Sequence, residues 1–499
     1  MPGKKIQIVI VAIVALVAYL NILPNQFVID DKMFIHDWAG IRSINLVADL
    51  KGEVPDIHKG VYRPVRTLLQ QVYYQLFKEN PVGWHMHSIL VHLSSSLLVY
   101  LVIKEIATRF KLRYKNLPFF VSLLFALHPI HTEAITYLSA SLEMVGVPFM
   151  LAALYFYLRK PKFGKIFFVL FYSLAIFSYE LTLVLPLIML GIEYFAGEFQ
   201  IRSLKKLAFW YVSLVLIIST YLVTRVGFLG ITSRGNYLAY SFYHTQLVMF
   251  QVYVKYIFLL LFPFKISYIH ELTPGFESFS TYYSNLNSIL DLSIFDFRVV
   301  GSLAFLLSLA GFGFTIRKKI PVLAFSIYFF FVSLLPVSYV ISQGIAMSEK
   351  YLYLASLGFI LALVYLILRI RRQKLVAIIF ILLAVVYGTL TIMRNFDWKD
   401  EITFWRKLTI EHQKSSLSFY MLGVHLAESG SFNEAKTVYL KAIELEPRMV
   451  EARFNLGNIY LKESRQAEAL EQYSIILKLD PNFEAAREKV KELIKSPSI

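Results

Sequence analysis

The chain contains no cysteine. That excludes a disulfide framework, a thiol nucleophile and any cysteine-ligated metal site, and it decides nothing about redox compartment. Charge is also sparse: 17% of the 499 residues are Asp, Glu, Lys or Arg, against 57% hydrophobic. This balance excludes disordered, collagen-like, coiled-coil and soluble single-domain readings. Nucleotide signatures are missing as well. No GxxxxGK[ST] occurs, and no GxGxxG stands between a strand and a helix, so an ATP-driven pump is not expected. No Asn-x-Ser/Thr acceptor is present, which leans toward a prokaryotic membrane.

What the chain does have is apolar length, and its mean hydropathy is +0.57. Runs able to cross the ~30 Å hydrocarbon core lie near 6–23, 84–103, 117–133, 135–158, 180–197, 207–226, 299–316, 320–342, 351–369 and 374–393. A shorter run at 165–178 suits a return leg, and 247–264 is ambiguous. The first run follows Lys4 and Lys5 and lacks a small-residue cleavage site, so it reads as an uncleaved span.

The net charge is +16, from 50 basic and 34 acidic residues. In a soluble protein this would suggest nucleic acid. Here the excess sits in short clusters between runs: Lys104 to Lys115, Arg159 to Lys165, Arg202 to Lys206, Arg317 to Lys319 and Arg369 to Lys374. The positive-inside rule explains them, and no nucleic-acid partner is expected. All share one side with Lys4 and Lys5 only if 247–264 does not fully cross. The expected fold is therefore all-α: a polytopic bundle of about eleven spans, then an α-solenoid. Its N-terminus is expected in the cytoplasm of a cell with a multi-pass plasma-membrane topology. Outer loops 24–83 and 227–298, and everything after 394, are expected outside. Within the first loop, Val65 to Phe77 has the helical spacing of an interfacial helix.

Composition changes after Trp398. From Ser416 a period of about 34 residues appears, the length of a tetratricopeptide repeat. Phe419, Leu422, Gly423, Leu426, Ala435, Tyr439, Ala442 and Pro447 are followed one period later by Leu456, Gly457, Tyr460, Ala469, Tyr473, Ile476 and Pro481. Arg453 stands where the second repeat should carry an aromatic residue, and Glu484 to Lys495 reads as a capping helix. The expected division is 1–394 for the membrane domain, 395–411 for a linker helix and 412–495 for two repeats plus the cap. Such a module implies a protein or peptide partner rather than chemistry.

Candidate chemistry lies at the outer ends of the runs, where charge close to hydrocarbon is costly and usually functional. Asp30-Asp31 follows the first run. One carboxylate can accept a proton from an attacking hydroxyl while its neighbour holds a cation or orients substrate; a capping or turn pair is the bland alternative. His128, His131 and Glu133 end the third run, but Pro129 distorts the helical spacing a metal site would use. Glu180, His270-Glu271 and Glu349-Lys350 lie at the same boundary. Arg63 opens the amphipathic segment and suits bidentate phosphate contact, the alternative being snorkelling to lipid headgroups. Arg234 and Lys350 are weaker candidates of that type. A metal set drawn from Asp31, His131 and Glu133 stays open.

In order along the chain come Phe27-Val28-Ile29-Asp30-Asp31, Tyr62-Arg63-Pro64-Val65, Asn80-Pro81-Val82-Gly83-Trp84-His85 and Phe125-Ala126-Leu127-His128-Pro129-Ile130-His131-Thr132-Glu133. Then follow Tyr179-Glu180-Leu181-Thr182, Ser348-Glu349-Lys350-Tyr351 and Asn395-Phe396-Asp397-Trp398, before the repeats. This succession resembles polytopic glycosyltransferases of the GT-C type, in particular the transmembrane-and-tetratricopeptide O-mannosyltransferase-like family. That family often has Lys-Glu where Tyr179-Glu180 stands and Arg where Lys350 stands, and 227–298 matches only loosely.

The resemblance implies transfer of a sugar from a polyprenyl-phosphate donor to a hydroxyl, outside the cytoplasm, with inversion. Asp30 or Asp31 would be the base. Arg63, Arg234 and Lys350 would meet the departing phosphate, and His128, His131, Glu133, Glu180 and Glu349 would position sugar or acceptor. A divalent cation, magnesium or manganese, between carboxylates and phosphate is left open. Readings from other classes are a transporter of lipid-linked sugars, though no internal hydropathy repeat is evident, and a non-catalytic scaffold displaying the repeats.

Overall fold

Pro129 shapes the centre of the bundle. It has no N–H to donate and keeps the preceding residue out of the helical region. The helix Leu117–Leu127 accordingly stops, and His128 is extended (φ −68°, ψ 122°). Its ring Nδ1 accepts the Ile130 N–H at 3.2 Å, and the chain restarts bent by 52°. The computed structural model describes residues 3–52, 60–198, 204–233, 235–273, 276–278, 287–342 and 344–495. Extended structure among them is one antiparallel ribbon, Glu271–Thr273 with Phe276–Glu277; the rest of the regular structure is helical, as expected.

Among the described residues, eight helices are long and apolar enough to cross a membrane, or nine if the bent pair is one span. That is fewer than the expected eleven. The physical reason is interruption: the runs at 165–178, 180–197 and 320–342 fold as helices of 13, 11 and 14 residues, each short for a full crossing. Phe242–Leu261 is itself long and apolar enough to cross, so its length gives a re-entrant course at 247–264 no support. Leu138–Arg159 is the central helical stretch, 83% buried over its apolar window, whereas Phe297–Ile316 is 11% buried at the rim. Small residues allow close approach. A Cβ on Gly358 would stand 2.7 Å from the Ser326 carbonyl oxygen, where Leu352–Leu368 packs on Pro321–Leu334.

The helix expected at Val65 to Phe77 forms as Pro64–Phe77, with proline in its first turn. Its polar side faces protein: Arg66, Thr67, Gln70 and Gln71 are buried, and Gln71 donates to Asp49 at 3.0 Å.

Asp400 caps the linker helix Glu401–Glu411 by accepting the Thr403 N–H at 2.8 Å. Two helical hairpins and a last helix follow: Ser416–Glu428, Phe432–Leu445, Val450–Lys462, Gln466–Leu479 and Glu484–Lys495. The repeat shows in its contacts. A Cβ on Gly423 would meet the Tyr439 ring at 2.5 Å, and one on Gly457 would meet Tyr473 at 2.7 Å. The missing aromatic of the second repeat is supplied one residue on, where Phe454 packs between Tyr473 and Phe483 with ring centroids 5.6 and 5.5 Å away.

The module does not hang free. One apolar cluster runs from Val28, Tyr137, Tyr268 and Ile269 through Trp398, Phe404 and Trp405 into Leu422 and Leu426. Ser267 bonds Glu411 and His412 at 2.8 and 2.9 Å, and Ser415 donates to Glu277 at 2.8 Å. The repeats are thus seated on the end of the bundle that carries Asp30-Asp31.

Candidate functional site

The turn after the first span is pinned from both sides. Asn25 donates to the Asn395 carbonyl at 3.2 Å, and the Gln26 N–H donates to the Lys399 carbonyl at 2.8 Å. Ile29 takes φ 55°, an unusual conformation for a β-branched residue, and delivers Asp30 and Asp31 in different directions. Asp31 is buried. One of its oxygens accepts the Ser139 N–H and hydroxyl at 2.8 and 2.7 Å, and the other accepts the Val28 N–H at 3.3 Å. Loss of solvent nonetheless outweighs these donors and pushes the carboxyl up to about 7. Asp30 is half-buried and accepts the Tyr137 hydroxyl at 3.0 Å. Tyr137 stacks on Trp398, centroids 5.5 Å apart.

Both contacts come from the start of the helix Leu138–Met144. Its far end carries Glu143, four residues after Ser139 and so on the same face. Glu143 binds the Arg63 guanidinium, meets Lys350 Nζ at 3.1 Å and lies 3.8 Å from Arg66. Arg63 also grips Glu180 with both arms of its fork, at 2.7 and 2.8 Å, beside the Tyr179 ring at 4.9 Å. Burial works against the Arg63 charge, yet Glu143 and Glu180 hold it well above its ordinary range. With side-chain exposure of 0%, against 12% for Lys350, Arg63 is the interior cation of the pair.

A third knot joins two more expected residues. Glu133 accepts the Ser348 hydroxyl at 2.5 Å and the Glu349 N–H at 2.8 Å. Glu349 in turn accepts the Ser267 N–H at 2.7 Å, binds Arg394 at 2.7 Å and meets His270 at 3.1 Å. The histidines point elsewhere. His131 bonds Ser356 at 2.8 Å and packs against Phe125 and Tyr353, while His128 faces the Leu260 carbonyl at 3.3 Å.

The structure therefore links Asp30 and Asp31, through one helix, to Arg63, Glu180 and Lys350, and it links Glu133 with Glu349. Arg234 lies outside the described residues. Asp31, His131 and Glu133 each turn to a different serine, and among the described residues no three His, Asp or Glu side chains are grouped to hold a metal ion. Those residues do not form one donor set.

Sequence reasoning missed Glu143, Ser139, Tyr137 and Arg394. Glu143 had a readable signal, as an acidic residue inside an apolar run. Ser139 and Tyr137 had none, because their importance comes from a fold-level approach to a turn more than a hundred residues earlier.

A tetratricopeptide-repeat family model matches residues 420–495. Over 467 residues the chain is 25% identical to a protein O-mannosyl-transferase of Caenorhabditis elegans, covering 88% of this chain and 63% of that one. The likeness expected from the motifs is real. The chain is also 22% identical over 472 residues to protein O-mannosyl-transferase TMTC3 of Homo sapiens, covering 85% and 49%. Against Tmtc3 of Drosophila melanogaster it is 24% identical over 548 residues, covering 94% and 58%. The chain thus spans 49 to 63% of the length of these relatives. All three are animal proteins, which gives the expected prokaryotic membrane no support.

Proposed function

We propose that the chain is a membrane glycosyltransferase, moving a mannose-like sugar from a polyprenyl-phosphate donor to a protein Ser or Thr hydroxyl on the extracytoplasmic face. The observation that carries this reading is the path from acid to cation: a half-buried Asp30 beside a buried, anchored Asp31, one short helix from the Glu143–Lys350–Arg63 group. The relatives' name supports mannose and a protein acceptor. The seating of the repeats at this end supports an acceptor delivered there.

Asp30 is the better-placed base, since it keeps access to solvent while Asp31 is committed to Ser139 and Val28. It would take the proton of the acceptor hydroxyl as that oxygen attacks the anomeric carbon. A positioned base contributes ~10²–10⁴-fold. The bond to the donor phosphate breaks in the same displacement, which inverts the carbon and releases polyprenyl phosphate as an anion. Fixed positive charge favours that departure. Lys350 supplies it, with Arg63 setting the position of Glu143 from behind. Glu133 and Glu349, held by Ser348 and Arg394, would position sugar or acceptor. The repeats raise the local concentration of acceptor protein.

The test is reconstitution in liposomes with labelled polyprenyl-phosphate mannose and a secreted-protein extract. Label on protein hydroxyls supports the reading. Label that only changes leaflet would replace it with lipid-linked sugar transport.

A further inference from the structure

The linker helix at the root of the repeat module reaches the Asp30-Asp31 turn through one carboxylate. Glu401, 8% exposed at the start of the linker helix, accepts the backbone N–H of Ile29 at 2.8 Å with one oxygen. Its other oxygen accepts the Trp405 indole N–H at 3.0 Å and faces His425 Nε2 at 3.5 Å, too long for a hydrogen bond. His425 belongs to the first repeat helix, where its Nδ1 pairs with Glu428 at 3.0 Å. The residue that Glu401 holds is the one that needs holding. Ile29 sits at φ 55°, and β-branched side chains disfavour that region unless the surroundings impose it. Without the Glu401 acceptor, the Ile29 N–H would lose a charge-assisted bond, and the turn could relax toward ordinary extended geometry.

We infer that Glu401 is a positioning residue: it keeps Ile29 in its left-handed conformation, and so aims Asp30, from the root of the repeat module. The inference rests on the proposed role of Asp30. It makes the linker helix part of the site's geometry, beyond tethering an acceptor-binding module. The contacts show a two-sided clamp. Tyr137 and Ser139 hold the carboxylates from the bundle, and Glu401 holds the preceding peptide from the linker helix. Trp398 lies between the two sides, stacked on Tyr137 and packed on Phe404 at 4.8 Å.

The experiment uses the full chain in lipid nanodiscs, comparing wild type with Glu401→Ala by amide hydrogen exchange and by transfer kinetics. The expected result is exchange at Ile29 and across 27–34 faster by ~10-fold or more, with the repeat helices protected as in wild type. Where transfer is measured, kcat should fall by ~10-fold or more at unchanged acceptor KM, as misplacement of a reacting group predicts. Unchanged exchange at 27–34 overturns the inference. Loss of protection throughout the repeats also overturns it, because Glu401 would then be a general structural residue. A rise in acceptor KM at constant kcat overturns it in favour of docking alone. If wild type transfers no sugar, the functional reading fails, and the exchange result still decides whether Glu401 holds the turn.

Discussion

Ser139 gives both its backbone N–H and its hydroxyl to the same oxygen of Asp31, at 2.8 and 2.7 Å. In sequence they are separated by the helices Pro64–Phe77, Pro81–Arg109 and Leu117–Leu127, so this contact fixes the Asp30-Asp31 turn against the central helical stretch. Ser139→Ala removes the hydroxyl and leaves the N–H. Hydrogen bonds to charged groups are worth about 1.5–3 kcal/mol, so thermal unfolding in detergent should show a loss of that order at pH 8. A loss indistinguishable from zero would mean that Asp31 is held by the backbone alone.

Burial raises the Asp31 carboxyl from its ordinary range to about 7, so the folded chain holds a proton there that the unfolded chain releases near 3.8. The stability this group contributes is therefore full below about 3.8 and lost as pH rises toward about 7. Asp31→Asn cannot titrate. Its Tm relative to wild type should climb from pH 4 to 7 and level off above. A difference that is constant over this window contradicts the assigned burial.

Glu143 is the carboxylate shared by Arg63 and Lys350. Removing one partner of a buried pair typically costs about 3–5 kcal/mol. Glu143→Ala should lower Tm markedly and suppress transfer, whereas exchanging a surface ion-pair partner such as Glu434 should change neither measurably. Equal behaviour of the two variants would show that the cluster is not organised by Glu143.

The fold class was legible because its signals are local or strictly periodic. Apolar runs announce spans, and Gly423 and Gly457 recur at one period because each must admit a tyrosine ring. The number of crossings was less legible. A run such as 180–197 reads as one span, but Pro186 and the turn at Glu180–Val184 leave a helix of only 11 residues. At the candidate site, Asp30, Asp31, Arg63, Glu180 and Lys350 could be picked out as charges next to hydrocarbon. Their partners could not. Arg63 read as a phosphate-contacting or snorkelling cation at a helix start, and only the fold shows its fork closed on Glu180 with Glu143 beside it. Likewise, nothing in the sequence pairs Ile29 with Glu401.

Gly457→Ala tests the packing of the second repeat. The added Cβ would stand 2.7 Å from a buried tyrosine ring, and overpacking of this kind costs about 1–3 kcal/mol. Amide exchange should accelerate in Val450–Lys462 and Gln466–Leu479 and stay unchanged in the membrane helices. Uniform exchange along the chain would contradict the hairpin as the local unit.

In the proposed transfer, Asp30 acts as the base while Asp31 anchors the turn. The most direct measurement is single-turnover sugar transfer from labelled polyprenyl-phosphate mannose to protein in liposomes, with wild type beside Asp30→Asn and Asp31→Asn. Asp30→Asn should lose ~100-fold or more, with a smaller loss for Asp31→Asn that tracks its change in stability. Transfer undiminished in Asp30→Asn would contradict that role.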